Sequence, residues 1–250
     1  MDQICYKKNF ITAAIARIDF LNPIDEIDNK LPKAFIDSLK NNFPIAESNP
    51  IKTDTFAISH IETKQSTESM IEWKFWNKER NRLIVLTKFS LALSQNYYST
   101  FEEFTYEFET ALTSICSVYN NPEIRRFGLR YVNEINISED KPLKWTNYIN
   151  KNLIATINFP KEKEKISRTF HNLIMNYDEF ELKFNFGMHN ADYPAPIKQK
   201  NFILDFDATH HGILTRNGVL ELLPKFHAKI QDLFEDSILD KLRDKYLNHD

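Results

Sequence analysis

The sequence predicts an α+β fold in which antiparallel meander sheets are each followed by a long amphipathic helix. Three observations carry this. Residues 180–186 and 202–207 alternate apolar and polar side chains with period two, as half-buried strands do. Residues 101–119 and 219–247 instead repeat apolar residues every three or four positions, the period of a helix stripe. The order along the chain is strand, helix, strands, helix, strand, helix, strands, helix. The 250 residues read as a single domain, 1–250, with two structural halves, 1–123 and 124–250. Each half holds a meander and then a long helix, which suggests a duplicated unit without any residue-level repeat.

Taken in order, Phe10 to Phe20 reads as a strand, ended by Asn22-Pro23. Leu31, Phe35, Leu39 and Phe43 recur at i+4 and predict a helix over 31–43, with Pro32 in its first turn and Pro44 after its end. Residues 51–61 predict a strand, the polar run 62–69 a loop, and 71–76 a strand with one wet face. Leu83 to Leu93 reads as one long central strand. Ser99-Thr100-Phe101-Glu102 has the Ser-x-x-Glu capping-box pattern, and Phe101, Phe104, Phe108, Leu112, Ile115 and Tyr119 form the stripe that follows. Asn120-Asn121-Pro122 ends that helix, and residues 125–137 predict a strand. Pro142 opens a predicted helix to about Lys151; 153–159 and 166–175 read as strands. Gly187 to Lys200 is a long loop with Pro194 and Pro196. Asn217-Gly218 marks a turn before the last helix, in which Pro224 fits the first turn or kinks it.

Composition excludes several chemistries. Hydrophobic residues make up 42% and charged residues 27%, as in globular domains. The longest apolar runs, such as Leu83 to Leu86, fall far short of the ~20 residues of a membrane helix. Met1 to Lys8 lacks a basic-then-apolar signal segment, so the cytoplasm is the expected location. Two cysteines, Cys5 and Cys116, support neither a disulfide framework nor a zinc cluster. Only 4 glycines and no G-x-G-x-x-G or P-loop pattern argue against a phosphate-cradling loop. G-x-S-x-G, H-E-x-x-H and C-x-x-C are absent, which leans away from an enzyme.

The stretch Arg125 to Ile137 carries the densest set of unusual residues. On a strand, Phe127, Leu129, Tyr131, Asn133 and Ile135 face one way, and Arg126, Gly128, Arg130, Val132 and Glu134 the other. Gly128 leaves a gap between two arginines where a ligand or another backbone could approach. Arg126 and Arg130 form either an anion clamp or, with Glu134, a polar ladder paired with acidic residues of neighbouring strands. Asp205-x-Asp207 beside His210-His211 invites a metal reading, but no third carboxylate stands at diagnostic spacing, so neither metal nor cofactor is expected. His227 falls on the apolar stripe of the last helix. It is a hydrogen-bonded core histidine or, with Asp205 or Asp207 as partner, a catalytic or switch group. Aromatic and basic residues interleave from Trp73 to Arg82, but a net charge of −3 disfavours a nucleic-acid partner.

The pattern Arg126-x-Gly128-Leu129-Arg130-Tyr131-x-Asn133 resembles a sporadically distributed bacterial and archaeal family of unknown function. Leu204-Asp205-Phe206-Asp207 resembles it too, as does the helix pattern Leu223, His227, Ile230, Phe234. The resemblance implies no activity. The patchy distribution of such a family implies an accessory locus of the defence or toxin–antitoxin type. The expectation is therefore a non-catalytic interaction protein acting on a protein partner. The alternatives are a binder or enzyme for a nucleotide or other anion, using Arg126 and Arg130, or a nucleic-acid binder. The ligand-binding candidates are Arg126, Arg130, Glu134, Asp205, Asp207 and His227.

Overall fold

The computed structural model describes residues 6–58, 63–139 and 141–248, with the backbone alone over 53–58 and 63–68. The fold is α+β. Its frame is a 9-stranded antiparallel sheet of order β2-β3-β4-β5-β1-β6-β9-β8-β7. The strands are β1 (Ile11–Phe20), β2 (Ile45–Ile58), β3 (Thr63–Trp76), β4 (Arg82–Thr87), β5 (Ser90–Gln95), β6 (Ile124–Asn136), β7 (Thr169–Asn176), β8 (Glu181–Met188) and β9 (Asn201–Leu214). The helices that matter here are α1 (Lys33–Leu39), α2 (Phe101–Val118), α3 (Ala155–Asn158) and α4 (Arg216–Ser237). In each half the strand before the long helix returns to pair with the first strand of that half: β5 with β1, and β9 with β6. The halves join where β1 pairs with β6. They hold five and four strands, and a duplicated unit is not established by this likeness of order.

Register explains why one face of the sheet is dry. A single row of paired residues runs Phe75, Ile84, Leu93, Ala16, Leu129, Ala208, Leu182, Met175 across eight strands. All of these but Met175 are buried. α1, α2 and α4 pack on this face. Phe35 of α1 meets Phe75 edge-on at 5.6 Å, while Phe127 of β6 stacks between Phe108 of α2 and Phe226 of α4, at 5.9 and 5.1 Å. The next row, on the opposite face, reads Lys74, Val85, Ala92, Arg17, Gly128, Thr209, Glu181, Asn176. Such a mixed row suits a face turned to water. Among the described residues, no helix is long and apolar enough to cross a membrane.

Several elements differ from the sequence reading. Residues 83–93 form a hairpin, β4 and β5, rather than one strand. Its two-residue turn, Lys88-Phe89, has no Gly or Asn; the Thr87 hydroxyl closes it by accepting from the amides of Phe89 (3.2 Å) and Ser90 (3.1 Å). Residues 63–69, expected as loop, belong to β3 and pair with β2, while Glu62 and the end of the expected 51–61 strand lie outside the described residues. No helix forms at 142–151. Tyr148 and Asn150 bond instead to Leu239 and Ser237, tying down the chain beyond α4. The expected strand 153–159 is the short α3, because Ile154 and Ile157, spaced by three, are the buried pair while Phe159 is exposed. Asn217-Gly218 is the first turn of α4, not a loop, since Thr215 caps the helix and accepts from the Gly218 amide. Pro224 lies well inside α4, so the Leu220 carbonyl has no helical N–H to accept from.

Candidate functional site

Arg126, Arg130, Glu134, Asp205 and Asp207 share the open face of the sheet, as alternation on β6 and β9 requires. His227 lies on the other side of the sheet, in α4. The open-face residues form an ion-paired belt. Arg130 donates to both Asp205 oxygens, at 2.8 and 2.9 Å, and this bond raises its pKa further. Asn185 of β8 also donates to Asp205 (3.3 Å), and Asn172 of β7 donates to Asn185 (2.6 Å). Arg126 reaches Asp19 of β1 at 3.5 Å, and Arg17 holds the same carboxylate at 2.8 Å. The guanidinium of Arg126 folds over Gly128, where an added Cβ would lie 3.2 Å from it. The gap left by that glycine is therefore filled from within the chain. Burial raises the Asp207 pKa, against the pull of Arg126 and Arg130. Glu134 is exposed and accepts a hydrogen bond from Asn201. His210 and His211 point to opposite faces, and among the described residues no three metal-ligating side chains cluster.

A second candidate site lies on the helix side of the sheet. A cavity of about 280 Å³ opens between the start of α2, the middle of α4 and the start of β1. Its floor is the apolar face of β6, where Tyr131 and Asn133 are 3% and 4% exposed. Tyr131 is there because strand alternation sends it to the helix side with Phe127 and Leu129. Its hydroxyl lies 3.5 Å from that of Tyr98 and 3.3 Å from Nδ1 of His227. The His227 ring stacks on Phe101 at 3.7 Å with only 4° between the planes. This clamp joins the first residue of α2 to the middle of α4. Gln231, Ile230 and Phe234 of α4 continue the wall.

Thr100 caps α2 by accepting from the Glu103 amide (3.2 Å), and Ser99 donates to the Glu103 carboxylate. The N-cap is thus Thr100, one residue later than the sequence pattern suggests, and the Glu103 carboxylate takes its bond from the Ser99 hydroxyl. At the outer rim, the Tyr6 hydroxyl donates to Glu235 at 2.8 Å, and Arg243 donates to the same carboxylate at 2.9 Å. Burial first and then the Glu235 bond push the Tyr6 phenol up to about 12.

The electrostatics of the cavity favour neutral groups. Burial lowers the His227 pKa to about 4, against a small opposing pull from Glu102. Burial likewise pushes the Tyr131 phenol well above its usual range, helped by Tyr98. At neutral pH the cavity therefore offers an imidazole and two phenols, each able to donate and accept, beside aromatic faces. Of the candidates read from the sequence, His227 alone lines it. Tyr98, Phe101, Tyr131 and Gln231 were missed, because three widely separated segments contribute them and no local spacing links them. The chain matches no protein-family model, and no curated protein matches it.

Proposed function

We propose that this chain is a non-catalytic binding protein, and that the cavity beside His227 takes a small, flat aromatic molecule, neutral or cationic, with hydrogen-bonding groups on its edge. The cavity itself carries the reading. Its volume, about 280 Å³, exceeds the ~150 Å³ that holds a benzene and approaches the ~300 Å³ at which small-molecule sites begin. One substituted or fused ring system fits that space. Tyr98, Tyr131, Asn133 and His227 supply convergent polar atoms, and the Phe101–His227 stack supplies a flat wall. Glu102 at the rim favours a cation over an anion. His227 and Tyr131 are both held in their neutral forms, which suits recognition better than proton transfer near pH 7.

The test is a thermal-shift screen with nucleobases, indoles and aromatic amines. A ligand at 100 times its Kd adds ~2.7 kcal/mol, roughly 5–10 °C for a chain of this size. Gln231→Trp, which fills the cavity from its wall, is expected to abolish the shift and keep the unliganded melting temperature. No shift across the panel, or a shift that survives Gln231→Trp, removes the proposal.

A second reading, a protein partner on the open sheet face, rests on the ion-paired belt. Arg130 already holds Asp205, and Asp19 already holds Arg126 and Arg17, so a small anion must displace a carboxylate while a protein surface can meet both signs at once. This reading predicts no stabilisation by phosphate or nucleotides at millimolar concentration. Membership of the sporadically distributed family, and a place in an accessory or defence-type locus, go with it and rest on the motif alone.

A further inference from the structure

The two edges of the sheet are built differently. β2 carries Glu47, Pro50 and Lys52 along its described length. Proline and charge are what keep an edge strand from pairing with another chain. β7, Thr-Phe-His-Asn-Leu-Ile-Met-Asn, has no proline and no Asp, Glu, Lys or Arg. Phe170, Leu173 and Ile174 are 59%, 48% and 48% exposed. Such a strand is a template for one more.

The direction of its free backbone groups follows from the hairpin to β8. The Tyr177 amide donates to the Phe180 carbonyl at 2.8 Å, closing the turn Asp178-Glu179. Bonded and non-bonded pairs alternate along an antiparallel ladder. Thr169, His171, Leu173 and Met175 therefore spend their backbone groups on β8. Phe170, Asn172, Ile174 and Asn176 turn theirs outward to the edge.

We propose that β7 pairs antiparallel with β7 of a second copy of this chain, about a two-fold axis normal to the sheet and passing midway between the two Asn172 residues, so that the two sheets become one. The inference is independent of the cavity. Four features point to a second copy. First, the register is self-consistent: Asn172 meets Asn172, and Phe170 meets Ile174 of the second copy, so every outward-turned residue from 170 to 174 finds an outward-turned partner. Second, residues of equal parity meet, so apolar Phe170 and Ile174 share the open face and both helix layers stay on one side. Third, β7 is uncharged, so it meets its own copy without like-charge repulsion. Fourth, the hydrogen-bonded belt Arg130–Asp205–Asn185–Asn172 runs to this edge and ends beside the axis, where two carboxamides face each other as donor and acceptor.

One strand per copy is a small contact, so the dimer should be weak and should exchange. Sedimentation of the full chain from about 1 to 300 µM tests this. The expected result is a monomer that becomes a dimer across that range. Ile174→Lys should shift the midpoint by more than ten-fold without lowering the melting temperature, because the side chain is half exposed. Asn172→Cys in a Cys5→Ser background should give a cross-linked dimer with a short bis-maleimide. A monomer at every concentration overturns the proposal, whether or not β7 captures a strand of another protein. A dimer that Ile174→Lys leaves intact and Asn172→Cys does not cross-link overturns it too, since its interface lies elsewhere.

Discussion

Lowering the pH should unload a defined part of the stability through His227. Burial sets its folded-state pKa at about 4, against ~6.5 in an unfolded chain. The unfolded chain therefore takes the proton first. The contribution is fully present above pH 6.5 and is lost as the pH falls toward about 4, at ~1.4 kcal/mol per pH unit, or about 3 kcal/mol in all. Between pH 7 and pH 5 the loss is about 2 kcal/mol. The comparison protein is His227→Gln, which keeps a polar group against Tyr131 but cannot take the proton. Urea denaturation of both proteins at pH 7 and pH 5 gives four free energies. The wild type should lose about 2 kcal/mol more than His227→Gln over that interval. Glu107 and Asp207, whose carboxyls burial raises, titrate with the opposite sign, but they do so in both proteins and cancel in the difference. Equal losses in the two proteins would refute the reasoning, as would an imidazole NMR titration of His227 centred near pH 6.5.

Arg130→Ala should cost ~1–3 kcal/mol in urea, because Asp205, only 7% exposed, loses its bidentate partner; the half-exposed position of Arg130 keeps the cost below that of a fully buried pair. Adding Asp205→Asn should recover part of that loss, whereas Arg126→Ala alone should cost less, since Arg17 still holds Asp19. Phe127→Ala should cost ~3–5 kcal/mol as a lowered urea midpoint, for the ring bridges α2 and α4 to the sheet; a loss under about 1 kcal/mol would mean that the site collapses without a void.

The parts of the fold legible in the sequence are those where one neighbour dictates the pattern. β8 alternates Leu182 and Phe184 against Lys183 and Asn185 because one face is dry, and α2 shows its stripe because one side meets the sheet. The hairpin at Lys88-Phe89 was illegible because a Thr87 hydroxyl does the work usually given to Gly or Asn. The absence of a helix at 142–151 has a tertiary reason. Tyr148 accepts a backbone bond from Leu239 and Asn150 donates one to Ser237, some ninety positions away, and no local pattern announces that. The arginine face of β6 was legible by alternation. Its pairing was not, since Asp19 and Asp205 come from two strands distant in sequence. The cavity was illegible for the same reason. His227 stood out as a polar residue on an apolar stripe, but Phe101 and Tyr131 look like ordinary core residues until three segments meet.

The place of β1 in the sheet bears on how the chain comes to be made. β1 emerges first but lies between β5 and β6, so its two partners are complete only at Gln95 and Asn136. During synthesis the first half can close on itself, β1 against β5, while the other side of β1 still lacks its neighbour. At ~5–20 residues per second, that side stays bare for roughly 2–8 s before β6 arrives. The seam between the halves is then the last joint of the first and the first joint of the second. Slow translation across residues 96–136 should accordingly lengthen the time this edge of β1 is open to aggregation.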